Sequence, residues 1–163
     1  MLFQSYAKNF GLYGERAGCV SVITANPTEK EVAMTRIKTL ARALYSNPPI
    51  HGARIVDIIL GDKELTKMWH DDLKLMSGRI IQMRHSLVKN LKDLGSEHSW
   101  QHLTDQIGMF AFTGLDKSMV DELREKYAIY MTADGRISIA GLNSGNIAYI
   151  AEAFHAVTKG KKF

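Results

Sequence analysis

The first residue in this sequence with the setting for covalent chemistry is a lysine at the mouth of a glycine-punctuated loop. In Gln4-Ser5-Tyr6-Ala7-Lys8-Asn9-Phe10-Gly11-Leu12-Tyr13-Gly14-Glu15-Arg16-Ala17-Gly18, Lys8 follows directly on a β-like stretch. An amine there can form an imine with an aldehyde-bearing cofactor, provided its neighbours leave part of it unprotonated. Ser5 and Arg16 flank it with a hydroxyl and a forked guanidinium, the donors that suit a phosphate. The glycines themselves match neither the G-x-G-x-x-G pattern nor a P-loop. Taken singly, Lys8 reads more readily as a solvated surface lysine and Arg16 as a structural arginine. His98 and His102 stand four residues apart, but no third ligand follows at metal-binding spacing.

The elements that must position these groups can be read from periodicity and punctuation. Leu2–Tyr6 and Cys19–Ala25 are β-like stretches on either side of the loop, giving strand, loop, strand. Asn26-Pro27 breaks the chain, and Thr28 with Glu31 has capping-box spacing. A helix carrying Ala33, Ile37, Leu40 and Leu44 follows, and Ser46-Asn47-Pro48-Pro49 ends it. Leu65, Trp69, Leu73, Met76, Ile80, Met83, Leu87, Leu91 and Leu94 recur at helical spacing and predict one long helix over 63–94. At 1.5 Å per residue it spans roughly 48 Å, a length suited to linking domains. Gly95 stops it. Beyond lie a β-like run at Met109–Thr113, a helix over 117–127, a β-like run at Arg136–Ala140, a helix over 146–157, and a charged tail from Lys159 to Phe163. The methionines and aromatics of the long helix read as packing.

The composition suits a folded domain: 45% hydrophobic and 23% charged residues support a core and exclude a disordered or collagenous chain. One cysteine, Cys19, leaves no intrachain disulfide and no cysteine-based zinc site. A net charge of +4 favours anionic ligands, but the 21 basic residues are dispersed among 17 acidic ones, so a nucleic-acid module is disfavoured. The longest apolar runs, such as Ile55–Leu60 with Asp57 interrupting it, fall well short of the roughly 20 residues a membrane helix needs. The first residues have no signal-peptide pattern; any targeting segment would lie upstream.

QSYAKNFGLYGERAG strongly resembles the cofactor-lysine segment of aspartate aminotransferases, fold type I enzymes dependent on pyridoxal 5'-phosphate (PLP). YSNPPIHGARIV, WQHLTDQIGMFAFTGL and IYMTADGRISIAGLNSGN follow in family order at near-family spacing. The resemblance covers essentially the whole chain and is nearest to the mitochondrial type. It implies an α/β fold corresponding to the C-terminal part of such an enzyme: 1–61 as the end of the large cofactor domain, 62–95 as a long interdomain helix, 96–163 as a small α/β domain. It further implies that Lys8 is the Schiff-base lysine and that Ser5 and Arg16 bind the cofactor phosphate. Arg136 matches the arginine that clamps the substrate α-carboxylate. Arg42 matches the arginine that reaches into a partner subunit's site and reads the distal carboxylate, and Phe110 matches an aromatic lining the site. Two guanidinium groups, each paired bidentately with a carboxylate, would select a dicarboxylic amino acid or keto acid. Without the resemblance, Arg42 could simply favour a helix dipole, Arg136 could be a strand-edge charge, and Phe110 could be core.

The implied activity is ping-pong transamination between L-aspartate and 2-oxoglutarate in a homodimer. The implied location is the mitochondrial matrix, with the cytoplasm as the alternative. The family's N-terminal arm, most of its large sheet, and its partner for the pyridinium nitrogen have no counterpart in these residues, so the chain alone is expected to be inactive. The competing reading is a non-catalytic dimerisation or interaction remnant of the same family.

Overall fold

The computed structural model describes residues 1–161. The last two residues of the charged tail anticipated from the sequence lie outside them. The chain divides into two compact units, Met1–Leu73 and Lys74–Phe163.

The first unit opens with two strands, β1 (Leu2–Ser5) and β2 (Gly18–Ser21), paired antiparallel with Ser5 opposite Gly18. The second strand stops at Ser21 rather than running on to Ala25. The four residues beyond it are suited to a strand by type, but they have no ladder partner among the described residues, and β propensity depends on such partners. Helix α1 (Pro27–Tyr45) follows. Its cap lies two residues earlier than the Thr28–Glu31 spacing predicts: the Asn26 side chain accepts from the Glu29 amide at 2.9 Å, and Glu29 in turn accepts from the Ala25 amide at 3.0 Å. Pro27 at the first helical position explains the shift, because its fixed φ suits that position and its missing N–H would go unused there. Ser46 ends the helix at φ 64°. A second helix, α2 (His51–Gly61), was not anticipated from the sequence. It packs tightly at its start, where a Cβ on Gly52 would lie 2.8 Å from Glu15 Cβ and 2.9 Å from Ala17 Cβ.

Helix α3 (Lys63–Asp93) begins within the first unit, where Asp62 accepts from the amides of Glu64 and Leu65 at 2.8 and 2.9 Å. Its end has the double hydrogen bond expected of a glycine terminus. Gly95, at φ 76°, donates to the Lys92 carbonyl, and Ser96 donates to Leu91.

In the second unit, α4 (Gln101–Asp105), β3 (Phe110–Phe112), α5 (Lys117–Tyr127), β4 (Arg136–Ser138), a 3-10 turn over Ile139–Gly141 and α6 (Ile147–Thr158) enclose one core. The C-terminal half of the predicted α3 stripe enters it: Leu87 and Leu91 are fully buried beside Leu103, Leu123 and Phe154. Truncating any of these to alanine in a core of this density costs about 2–5 kcal/mol. Strands β3 and β4 form an antiparallel ribbon in which Phe112 faces Arg136. The turn into β4 depends on Gly135, whose φ is +82° and whose added Cβ would stand 2.5 Å from the Leu115 carbonyl oxygen. Gly135→Ala is therefore expected to lower stability by about 2–3 kcal/mol, combining left-handed strain with a backbone clash, as read from urea unfolding of the chain.

Candidate active site

The loop that carries Lys8 is tied down by its own backbone. Tyr6 donates its amide to the Ala17 carbonyl at 3.0 Å, Leu12 donates to Tyr6 at 3.3 Å, and Gly11, at φ 67°, donates to Lys8 at 3.1 Å. Trp69 reaches the same loop from α3. Its indole donates to the Asn9 carbonyl at 2.8 Å, and its ring stacks on Phe10 with centroids 4.4 Å apart. Trp69 is thus more than part of an apolar stripe: it anchors the residues immediately after Lys8. Ala7 and Leu12 are buried beneath the loop, while Lys8 is exposed with its ammonium 5.3 Å from the centre of the Tyr13 ring.

Ser5 and Arg16 line one cavity of about 290 Å³, together with Ala7, Gly18 and Cys19. That volume is at the lower end of small-molecule sites. The Ser5 hydroxyl oxygen accepts from the Ala7 amide at 3.2 Å. Arg16 adopts φ 51°, unusual for a residue with a Cβ, and its Nη1 donates to the Tyr13 carbonyl at 3.1 Å. Gly18 lines the same cavity, and a Cβ there would lie 2.6 Å from the Gln4 carbonyl oxygen. Burial, then the neighbouring Cys19 thiol, pushes the Tyr6 phenol above its ordinary pKa, so it remains a neutral donor. A hydroxyl and a guanidinium on one cavity, three residues before and eight residues after Lys8 in a constrained loop, form a donor set that fits the phosphate of an aldehyde cofactor.

Arg42 lies in the last turn of α1 and donates through Nη1 to the Ser46 hydroxyl at 3.1 Å. Its recorded bond is therefore to the end of its own helix and not to Ser5, Lys8 or Arg16.

Arg136 and Phe110 come together in the second unit. The Arg136 guanidinium carbon sits 4.3 Å from the centre of the Phe110 ring, a cation–π contact diagonal across the β3–β4 ribbon. Both side chains are exposed, so Phe110 is not a core residue. Asp134 braces the turn before Arg136 by accepting from the Thr132 hydroxyl and from the Arg136 amide; these bonds, the hydroxyl's first, hold its carboxyl below the usual range. His98 and His102 contact the carbonyl oxygens of Thr158 and Thr113 at 3.1 and 3.0 Å, which gives both a structural task. Among the described residues no group of three or more His, Cys, Asp or Glu could hold a metal.

Sequence reasoning missed Tyr13 beside Lys8, Trp69 as the anchor of its loop, and two arginines of α3, Arg79 and Arg84, that bond to the backbone around the β3–β4 ribbon. Nothing in their spacing distinguishes those arginines from a solvated helix face.

Comparisons with known proteins identify the family and the fold. The family described as aminotransferase class I and II matches residues 1–154. The chain is 55% identical over 159 residues to the mitochondrial aspartate aminotransferase of Gallus gallus, covering 98% of this chain and 38% of that protein. A mitochondrial aspartate aminotransferase from Trypanosoma brucei superposes with a TM-score of 0.91 at 46% identity, over 95% of this chain and 41% of the other. An aromatic-amino-acid aminotransferase from Burkholderia pseudomallei, covalently bound to pyridoxal phosphate, superposes equally well at 0.91 with 41% identity, covering 95% and 39%. The chain thus spans about 38% of the length of the curated relative it matches, and its α/β fold is that of part of an aspartate aminotransferase. With a family match along nearly all of its length, this chain belongs to the class I and II aminotransferases.

Proposed function

We propose that these residues serve a PLP-dependent aspartate aminotransferase, exchanging the amino group between L-aspartate and 2-oxoglutarate, and that Lys8 is the lysine to which the cofactor is joined. The observation that carries this reading is the constrained loop: Lys8 follows directly on Ala7, which lines one cavity with the Ser5 hydroxyl and the Arg16 guanidinium. The relatives named aspartate aminotransferase support the reaction class.

Ser5 and Arg16 would hold the cofactor phosphate through charge-assisted hydrogen bonds. When bound, PLP supplies the electron withdrawal that makes loss of the substrate α-proton feasible. Lys8 Nζ would hold the cofactor and, as a free amine, would serve as the base that takes the proton from the substrate α-carbon. Arg136 would pair with the α-carboxylate, with Phe110 fixing the plane of its guanidinium. Arg42, acting in a partner subunit of a homodimer, would pair with the distal carboxylate and make the site selective for dicarboxylic acids. The region over 1–61 is read as the end of the cofactor domain, 62–95 as the interdomain helix and 96–163 as the small domain. The mitochondrial names of the relatives from Gallus gallus, Dictyostelium discoideum and Arabidopsis thaliana support a matrix location.

The 163-residue chain by itself should turn over no measurable aspartate, because a chain spanning 38% of its relative leaves most of that protein's residues unrepresented. Joining it to the N-terminal segment of the Gallus gallus relative should create activity. Assaying both proteins with aspartate, 2-oxoglutarate and PLP tests the reading. Activity in the joined protein alone is expected, and a soluble, folded joined protein without activity contradicts it.

A further inference from the structure

Arg84 is only 2% exposed, yet no carboxylate lies within salt-bridge distance of it among the described residues. Its guanidinium is instead spent on three backbone carbonyls. Nη1 donates to Leu103 at 2.6 Å, and Nη2 donates to Gly108 at 2.9 Å and to Phe110 at 2.7 Å. Its Nε is buried without a partner, and burial pushes its pKa below the ordinary value for arginine. Burying an unpaired cation is costly, and an apolar side chain of similar length would fill the same space at lower cost. A fork of donors achieves what an apolar side chain cannot: it fixes three points of the backbone at once.

Those three points lie on one path. Leu103 is in α4, Gly108 holds the left-handed φ of 90° that turns the chain, and Phe110 opens β3. Between them Ile107 is 93% exposed, so the apolar core does not hold this stretch. Arg79, one and a half turns earlier on α3, does the same for the other strand: its Nη1 donates to the Leu142 carbonyl at 2.7 Å and its Nη2 to Ala140 at 3.0 Å, just past β4. The entry to β3 and the exit from β4 are therefore both tied to α3 by arginine. The ribbon so held carries Phe110 and, 4.3 Å from its ring, the Arg136 guanidinium.

We infer that Arg84 is a positioning residue: by holding the Phe110 carbonyl it places the Phe110 ring, and through that ring it sets the orientation in which Arg136 meets a carboxylate. The inference rests on the reading of Arg136 as a carboxylate receptor. Arg84 acts through Phe110 and touches no substrate.

The test uses the 163-residue chain and side-chain NMR of Arg136, whose δ and ε protons should be displaced upfield by the nearby ring. Arg84→Met should lose most of that displacement, while the methyl signals of Leu123 and Val157, deep in the core, stay where they are. Titrated with succinate, the variant should show at least tenfold weaker binding at Arg136 than the parent. Should Arg84→Met fail to fold, Arg84→Lys carries the same comparison, since it keeps stem and charge but cannot reach three carbonyls together. A folded variant whose Arg136 retains the parent's displacement and succinate affinity overturns the positioning role. A parent whose Arg136 ignores succinate overturns the carboxylate reading instead, and the two failures are distinct.

Discussion

In the joined protein, Lys8→Ala should lower aspartate transamination by about 10⁴-fold or more, the upper end of what a positioned general base supplies. The loss would be large because the proposal gives one nitrogen two tasks, holding the cofactor and moving the α-proton. Binding should suffer far less, since Ser5 and Arg16, the proposed phosphate donors, remain on their cavity. The variant should therefore still take up PLP, now releasable by dialysis, while stopped-flow and steady-state assays show almost no turnover. Aminotransfer near the parent rate would end the assignment of Lys8.

The two arginines proposed to bind carboxylates, Arg42 and Arg136, should separate by substrate. Truncating one partner of a buried charge pair costs about 2–5 kcal/mol, or roughly 30- to 4,000-fold in kcat/KM. Arg42→Ala should impose that loss on aspartate and glutamate but leave an uncharged amino acid nearly unaffected, because only dicarboxylic substrates carry the second carboxylate. Arg136→Ala should impose it on every amino acid, since each has an α-carboxylate. Measuring kcat/KM for aspartate and for alanine in both variants decides the matter, and identical profiles would contradict the division of roles. The exposed position of Arg42 at the end of α1, bonded to Ser46, is consistent with a side chain that can reorient toward a partner.

The sequence was most legible where local chemistry and tertiary packing agree. Helix α5 lies where its apolar spacing puts it, and Gly95 ends α3 in the left-handed conformation that only a residue without a Cβ adopts freely. Disagreement arose where neighbours decide. Val22 and Ile23 favour strands by type but meet no ladder partner among the described residues, and the helix α2 was hidden because Ser46-Asn47-Pro48-Pro49 read as a break while the run after it is too short to show a period. The cap of α1 fell to Asn26 because Pro27 fixes where a helix can start. For the candidate site, Lys8 stood out through its resemblance to a family segment and not through its spacing. Arg84 was invisible because burial of an arginine against three carbonyls is a property of the fold, and a helix position alone reads as solvated.

The central claim is that Lys8 joins the cofactor, and chemical trapping tests it most directly. The 163-residue chain is mixed with PLP, reduced with borohydride, digested and mapped by mass spectrometry, with Lys8→Ala as the control. The account predicts a pyridoxyl adduct concentrated on the peptide containing Lys8, lost in the control and weakened by Arg16→Ala, because the guanidinium on the adjoining cavity holds the phosphate while the imine forms. Labelling spread evenly over the exposed lysines, unchanged by either substitution, would contradict it.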